Sequence, residues 1–426
     1  MDQQDVRYQT YIEILKKELV PAMGCTEPVA LAYCAAKARA VLGQRPQRVV
    51  IEASGNIIKN VKSVIVPNTD GRKGIEAAAA IGIVAGREDL ELEALSLVTE
   101  EQKVDFQVYM ETAAFSVRQA ESSRLLDMTV RVYREDSYAV VRIADTHTNI
   151  VHIEKDGKIL LHKETGEQTR QDIPDYSLLT VQGIYDFAQS VDMDAIQPIL
   201  EKQILYNTAI SAEGLKKDYG ANIGSVLLET YGSDVRNRAK ARAAAGSDAR
   251  MNGCELPVII NSGSGNQGMT VSLPVIEYAE ELQADREKLY RALVISNLTA
   301  IHQKTGIGSL SAYCGAVSAG AGAGAGIAYL RGGGYEEIAH TIVNALAITS
   351  GIICDGAKAS CAAKIATAVD AGIFGYDMYL KGQQFYSGDG VVSAGVEKTI
   401  QNIGRLGKDG MRETDKEILC IMTCVD

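Results

Sequence analysis

The sequence predicts an α+β protein in which both ends of the chain form a mainly helical domain and a mixed α/β domain is inserted between them. Three observations support this fold class. Apolar residues recur at helical spacing in residues 1–45, alternate with polar residues in several segments of residues 46–175, and return to helical spacing in residues 176–426. We take these three ranges as the predicted domain boundaries.

The first range holds two predicted helices. Residues 6–20 place apolar side chains on one helical face. A loop at residues 21–24 leads to a second helix that ends near residue 42, for which Thr26 is the expected N-cap. We expect both helices to pack with the helices of the last range.

The inserted range is expected to hold the strands. Residues 48–53 and 60–67 are rich in β-branched residues, and residues 74–85 predict a helix of small residues. The later alternating segments resemble an antiparallel sheet, and they are 104–110, 125–133, 138–145, 148–155 and 158–162. A turn at residues 155–158 predicts a hairpin between the last two.

One uncharged segment, residues 311–330, is long enough to span a membrane. It consists mostly of Gly, Ala and Ser, which are only weakly apolar. We therefore interpret it as a buried helix whose small residues let neighbouring helices approach closely.

The composition narrows the classes of partner. The 426-residue chain has a net charge of −11 and no basic block, which argues against nucleic acid or an anionic membrane as a main partner. The acidic start resembles no signal peptide, so we expect a cytoplasmic, reducing location in which cysteine clusters indicate metal binding or catalysis more often than disulfides. The sequence leaves a homo-oligomer open.

Three late cysteines, Cys314, Cys354 and Cys361, have the composition of a metal site. Zinc sites usually use paired C-x2-C motifs, and the chain has none, so dispersed thiolates suit an iron–sulfur cluster better. Three thiolates without an obvious fourth would leave one position open for a substrate. Free cysteines are often buried as small hydrophobic residues, and spacing alone does not decide between the two interpretations.

Cys25 lies where the second helix is expected to begin. A helix N-terminus stabilises a thiolate and lowers the pKa of a thiol there. We therefore predict a catalytic role for Cys25, as a nucleophile, base or ligand. The alternative is an ordinary loop cysteine.

A glycine-rich segment at residues 261–268 follows a strand-like stretch. Its glycines are spaced as in dinucleotide-binding loops, but the helices that follow exclude that fold. Backbone N–H groups on such a loop at a helix start can bind an anion, and a small carboxylate would fit. The polar side chains expected to bind substrate here are Ser262, Ser264, Asn266 and Gln267.

Two other polar segments are expected to contribute to the same site. Arg250 is close in sequence to the glycine-rich segment and can bind a carboxylate bidentately, with a surface salt bridge as an equal alternative. The polar turn at residues 54–60 can supply Asn56, Lys59 or Asn60 to a cleft between domains.

The histidines form no metal-binding pattern in the sequence. His147, His152 and His162 lie on predicted strands and are expected at the surface. The chain also lacks a phosphate-binding P-loop, a nucleophile elbow and a zinc-protease helix motif.

Six motifs together resemble the L-cysteine desulfidase family, which is also catalogued as an uncharacterised family and is related to the α domain of iron–sulfur L-serine dehydratases. The resemblance runs nearly end to end. The motifs lie at residues 24–28, 54–60, 247–251, 261–268, 310–315 and 354–358.

The resemblance implies an oxygen-sensitive 4Fe-4S cluster held by Cys314, Cys354 and Cys361, with a free iron that takes a small amino-acid substrate. It also implies pyruvate, ammonia and either hydrogen sulfide or water as products. The helical domain would then be the catalytic one.

The expected mechanism combines this cluster with residues predicted above. The open iron acts as a Lewis acid on the β-thiol or β-hydroxyl. The thiolate of Cys25, with a pKa near the working pH, removes the Cα proton. Arg250 and the 261–268 segment hold the carboxylate.

Other readings stay open at this point. The same chemistry suits an L-serine or L-threonine dehydratase, whereas a non-catalytic amino-acid or cluster sensor belongs to another class, and zinc at the three cysteines is a third option. A C-terminal tail with Cys420 and Cys424 could reach the cluster, although a last helix or strand with buried thiols is the simpler interpretation.

Overall fold

The structure is a computed structural model that describes residues 1–163, 174–308 and 310–423. The helices of the first half are α1 (Val6–Glu18), α2 (Thr26–Leu42), α3 (Gly55–Val61), α4 (Ile75–Ala85) and α5 (Glu100–Thr112). The strands are β1 (Pro21–Met23), β2 (Arg48–Ala53), β3 (Ala114–Gln119), β4 (Asp127–Arg134), β5 (Ser137–Ala144), β6 (Ile150–Lys155), β7 (Lys158–His162) and β8 (Pro257–Ile259).

The second half of the described chain is almost entirely helical. Its helices are α6 (Val181–Ser190), α7 (Met193–Lys216), α8 (Ile223–Tyr231), α9 (Val235–Met251), α10 (Gly265–Glu281), α11 (Arg286–Ile307), α12 (Gly315–Leu330), α13 (Tyr335–Thr349), α14 (Ser360–Leu380), α15 (Val396–Arg405) and α16 (Arg412–Thr423). The mixed α and β content agrees with the predicted fold class.

Six strands form one mixed sheet in the order β3-β2-β4-β5-β6-β7. β2 and β3 are parallel, and every other neighbouring pair is antiparallel. α2 packs against β4 and β5, and α4 packs against α2. The predicted antiparallel strands and their closing hairpin are therefore confirmed for β4 to β7.

Two predicted strands do not form, and one of them is helical instead. Residues 54–60, expected as a polar turn, mostly belong to α3, and residues 60–67 hold no strand. Residues 104–110 belong to α5, whose N-terminus has a capping box between Thr99 and Gln102. Val104 is exposed in α5, although the alternating pattern predicted it to be buried. The buried face of α5 is formed by residues three apart, Lys103, Phe106 and Tyr109.

A short two-stranded sheet joins distant parts of the chain. β1 pairs antiparallel with β8, so that Pro21 lies opposite Ile259. The loop predicted before α2 thus contains a strand, and its pairing brings the start of α2 to the start of α10. Cys25, not the expected Thr26, is the N-cap residue of α2.

The glycine-rich helix α12 is buried among other helices, as expected from its small residues. A Cβ atom on Gly320 would lie 2.4 Å from the backbone oxygen of Ala368, and one on Gly324 would lie 2.6 Å from that of Gly372. α12 and α14 therefore pack backbone to backbone. Among the described residues, none of the helices has the length and apolar character that membrane crossing requires.

The packing of the first two helices differs. α1 packs against α6, α7 and α11, whereas α2 packs on the sheet. One hydrophobic cluster contains buried residues from both the sheet and the later helices, including Leu31 of α2 and Val317 of α12. The domain boundaries at residues 45 and 175 stay a prediction.

Candidate active site

Every predicted site residue lines one cavity of about 110 Å³, which we call the cysteine cavity. The folding of α1 onto the later helices and the β1–β8 pairing bring these distant segments together. They are Cys25, Asn56, Lys59, Asn60, Arg250, Ser262, Ser264, Asn266, Gln267, Cys314, Cys354 and Cys361. Their roles remain predictions.

Four long helices begin at this cavity. Cys25 is the N-cap residue of α2, Ser264 of α10 and Cys314 of α12, and Cys361 lies in the first turn of α14. The unbonded N–H groups of a helix N-terminus carry partial positive charge. Four such ends around one small space favour thiolates and anionic ligands there.

Backbone pairing brings the three late cysteines together. The N–H of Cys314 donates to the backbone oxygen of Ile352 at 3.2 Å, and the N–H of Cys354 donates to that of Ala312 at 2.6 Å. Burial raises the pKa of Cys314 to about 12, with the neighbouring Cys354 adding to the effect. The thiol of Cys314 is therefore protonated unless a cation displaces the proton.

The described residues contain no group of three or more His, Cys, Asp or Glu side chains that could hold a single metal ion. The three cysteines nevertheless line one cavity and influence one another electrostatically. The donor set is thus three soft thiols that line a shared space.

Lysine side chains lie close to the cysteines. The ammonium group of Lys59 donates to the backbone oxygen of Cys354 at 3.5 Å. Lys364 donates to the backbone oxygen of Ile353 at 3.0 Å and pairs with Asp355. These cations lower the cost of accumulating negative charge on the thiol sulfurs.

Cys25 differs from its predicted state. Its thiol donates to the sulfur of Met251 at 3.4 Å. Complete burial raises the pKa of Cys25 to about 12, although the nearby Arg250 acts in the opposite direction. The expected lowered pKa of Cys25 is therefore wrong, because desolvation of the thiolate outweighs the helix terminus and the arginine.

The cavity also contains a carboxylate and an imidazole that lie close together, and the sequence did not indicate this pair. The ring Nε2 of His147 lies 3.9 Å from Oε1 of Glu27, and Asn60 donates to the same oxygen at 3.1 Å. Burial alone would raise the pKa of Glu27, but His147 and the other favourable contacts lower it to about 2. The expectation of a surface strand position for His147 is wrong, since it lies in the β5–β6 turn and lines the cavity.

The glycine-rich segment forms a compact turn. Asn261 and Ser264 exchange backbone hydrogen bonds of 3.1 and 3.0 Å, and the residues between them, Ser262 and Gly263, have φ values of 50° and 75°. This turn leads directly into α10. The N-terminus of α10, which carries partial positive charge, therefore lies at the segment predicted to bind an anion.

Arg250 is buried behind this turn. Its Nε donates to the backbone oxygen of Gly24 at 2.8 Å, and its Nη1 donates to Asn266 at 3.1 Å. A Cβ atom on Gly265 would lie 2.3 Å from Nε of Arg250, so only glycine allows this approach. Arg250 thus links the starts of α2 and α10, and the surface salt bridge considered as an alternative is wrong.

Two residues of α3, Asn56 and Lys59, bind one carboxylate of the C-terminal helix α16. Lys59 donates to Oδ1 of Asp415 at 2.5 Å, and Asn56 donates to Oδ2 at 3.0 Å. Lys59 is fully buried, so Asp415 of α16 neutralises a cation of the cavity wall. Nothing in the sequence pattern indicated this contact.

Of the C-terminal cysteines, Cys420 is exposed on α16 and Cys424 lies outside the described residues.

Several buried polar atoms of the cavity lining lack a hydrogen-bond partner among the described residues. They are Oδ1 of Asn56, Nε2 of His147, Oε1 of Gln267 and the hydroxyl oxygen of Tyr313. An unsatisfied buried polar group costs about 1–3 kcal/mol. Such atoms around one space are hydrogen-bonding positions that a polar ligand or water can fill.

Comparison with known proteins gives two family assignments. Residues 89–420 match the serine dehydratase alpha chain family. Over 422 residues the chain is 62% identical to a UPF0597 protein of Desulfitobacterium hafniense, covering 99% of this chain and 98% of the relative. UPF0597 proteins of Lachnoclostridium phytofermentans and Treponema denticola are 55% identical over 415 residues and 46% identical over 422 residues, with coverage of 97% and 98% of this chain and 99% and 98% of the relatives. The chain therefore belongs to the UPF0597 family and, through residues 89–420, to the serine dehydratase alpha chain family.

Proposed function

We propose that the chain is a lyase that converts L-cysteine and water into pyruvate, ammonia and hydrogen sulfide. Loss of the Cα proton and the β-thiol leaves aminoacrylate, and water then replaces its amino group. The family membership supports a lyase-type reaction on a small amino acid, and the choice of L-cysteine is our proposal.

A single observation carries this proposal. Three cysteines and the predicted substrate-binding residues, which come from distant parts of the sequence, line the same cavity. The converging helix N-termini and the unpaired buried atoms give that cavity the character expected for an anionic, polar ligand.

The donor set fits an iron–sulfur cluster. Cys314, Cys354 and Cys361 would hold it, with the ammonium groups of Lys59 and Lys364 nearby. When bound, the cluster would supply a Lewis-acidic iron with an open position for a thiol or hydroxyl. Zinc at these cysteines has less support, since the described residues contain no group suited to one ion.

The protein's own residues would bind and orient the substrate. The first N–H groups of α10 can donate to the substrate's carboxylate, and Arg250 holds that terminus against the start of α2. Oε1 of Gln267 and the carboxylate of Glu27 are acceptors suited to the substrate's ammonium group.

Two side chains of the cavity can exchange the Cα proton. Nε2 of His147 lies 3.9 Å from the carboxylate of Glu27, and an imidazole beside a carboxylate at the cavity wall can take or give a proton. Cys25 is the predicted base, but its raised pKa means that it must first lose a proton. Variants at these two positions distinguish the roles.

The test is an anaerobic reconstitution of the full chain with iron and sulfide. The visible spectrum reports the cluster, and pyruvate formation is compared for L-cysteine and L-serine. We expect cluster absorption and faster turnover of L-cysteine.

Each other outcome selects a different function. Faster turnover of L-serine would favour a dehydratase, for which the matched serine dehydratase family is the supporting observation. A cluster without pyruvate from either substrate would favour a sensor. Failure to take up iron would overturn the proposal.

A further inference from the structure

Lys304 is a buried cation that the described protein does not neutralise. It lies in the last turn of α11 and is 7% exposed. Its ammonium group has no hydrogen-bond or ion-pair partner among the described residues, since Glu18 and the cysteines influence it only at longer range. Burial lowers the pKa of Lys304 because its charged form is not compensated, and an anion bound beside it would restore that form.

The other cations around the cysteine cavity are already engaged. Lys59 binds Asp415, and Lys364 binds Asp355. Arg250 uses its N–H groups to hold Gly24 and Asn266. Lys304 therefore differs from its neighbours in having its charge available for a ligand.

Lys304 also lies where two spaces meet. Besides the cysteine cavity, it lines a wider cleft of about 770 Å³, and His147, Ser262 and Gly263 line both. The turn formed by Ser262 and Gly263 leads into α10, whose first N–H groups have no partner within the helix. An ammonium group and a positive helix end thus border the same passage.

We propose that Lys304 anchors the α-carboxylate of the amino-acid substrate, which it binds together with the N-terminus of α10. This inference rests on the proposed function for the identity of the substrate. The carboxylate supplies the anion beside Lys304, and its position at the passage directs the β-substituent toward the cysteines.

The first test compares Lys304→Met and Lys304→Arg with Lys17→Met, using cluster-loaded protein. Lys17 lines the wider cleft but is exposed, so its variant controls for general electrostatic attraction. We expect Lys304→Met to lower kcat/KM for L-cysteine by about 10- to 100-fold, mainly through KM, because a charge-assisted contact is lost. Lys304→Arg should lose less, and Lys17→Met should be unchanged.

L-Cysteinamide provides the decisive comparison, because it lacks the carboxylate charge. The wild-type chain should bind L-cysteine more tightly than the amide, and Lys304→Met should remove that preference. Iron content and the visible spectrum should not change. Loss of iron with an unchanged preference would overturn the proposal and make Lys304 a counter-charge for the cluster.

A second readout uses the cluster-free chain without substrate. If Lys304 has no partner in the protein, Lys304→Met should raise the thermal unfolding temperature, because an uncompensated buried charge is removed. A lower unfolding temperature would overturn the proposal.

The two proposals can fail separately. If even the wild-type chain makes no pyruvate, titration of the cluster-loaded chain with L-cysteine and L-cysteinamide still measures the preference. Retention of the preference by wild type and its loss in Lys304→Met would support the anchor while the lyase function fails. Equal binding of both compounds by the wild-type chain would overturn the anchor.

Discussion

The cysteine cavity and the open face of the sheet form two polar depressions of opposite character. The sheet face holds the larger space, about 1000 Å³, and two charge pairs lie in its lining. Arg142 donates to both oxygens of Asp127 at 2.8 and 2.6 Å, and His152 lies 3.3 Å from Glu154. In the much smaller cysteine cavity, several buried polar atoms have no partner among the described residues.

This difference shows that volume is a poor guide to the site in this protein. Charges at a wet surface pair with one another at little cost. Buried atoms without partners cost free energy in the empty protein, and a ligand that satisfies them recovers it. We therefore expect substitutions in the cysteine cavity to change ligand binding and chemistry, and those on the sheet face to change little.

The strongest test of the comparison is Cys314→Ser. We expect loss of most bound iron and of all measurable pyruvate formation, since one of three thiol donors is removed. Iron analysis, visible absorption and pyruvate formation measure the effect. Cys254→Ser, at a buried cysteine outside the cavity, and Arg142→Gln, on the sheet face, are the controls and should retain both properties. Equal loss in either control would contradict the contrast between the two regions.

The next largest effect is expected for the proton acceptor. Cys25→Ala and His147→Gln each remove one candidate acceptor of the Cα proton. The variant that removes the true acceptor should lower kcat by about 10²- to 10⁴-fold. Cluster absorption should persist in both variants. Single-turnover rates as a function of pH identify the residue, because only loss of the acceptor removes its ionisation from the profile. Loss of absorption in Cys25→Ala would instead indicate that Cys25 is a ligand.

Asp415 tests a paired charge in the wall of the same cavity. Asp415→Ala leaves the buried Lys59 without its partner, and we expect the free energy of unfolding to fall by about 2–4 kcal/mol. Lys416→Ala removes only an exposed ion pair on the same helix and should change it by less than about 0.5 kcal/mol. Urea denaturation of both variants measures the difference. Similar values would mean that the Lys59–Asp415 pair contributes little.

Asp248 is a buried carboxylate that lies outside both regions, and it tests the cost of burying a charge without a ligand site nearby. Its Oδ2 accepts a hydrogen bond from the N–H of Ile223 at 2.7 Å, while its buried Oδ1 has no partner among the described residues. Burial raises the pKa of Asp248 to about 6 from 3.8, so its contribution to stability is fully present below 3.8 and is lost as the pH rises through about 6.

In Asp248→Asn this pH dependence should disappear. We expect the stability of the wild-type chain, relative to that of the variant, to fall by about 1–2 kcal/mol between pH ~5 and ~7.5. Denaturation at the two pH values measures it. A constant difference would show that Asp248 does not titrate in this range.

Much of the fold could be predicted from local pattern. Helical spacing in residues 6–20 and alternation in residues 125–162 have single interpretations, because helices and half-buried strands bury residues at different periods. The pattern failed at α5, where Val104 is exposed, and at residues 60–67. Val64 is buried there by packing beside Cys25 and Met251, which no local period reveals.

The residues of the candidate site likewise fall into those that the sequence indicated and those that it did not. The sequence indicated the predicted binding residues, because cysteines, glycines and amides at expected helix starts have recognisable chemistry. It did not indicate Glu27 with His147, Lys304 or Asp415. Each of these is ordinary in its own segment and becomes informative only through burial and through partners distant in sequence.

By itself, the sequence determined the fold class, the soft-ligand chemistry of the three late cysteines and the segments that border the site. Only the tertiary structure decided that Cys25 is a protonated thiol, that Lys59 is neutralised and that Lys304 has no partner among the described residues. The reason is physical. Residue type fixes which chemistry a side chain can perform, whereas desolvation and neighbouring charges, which depend on the folded chain, fix its ionisation and availability.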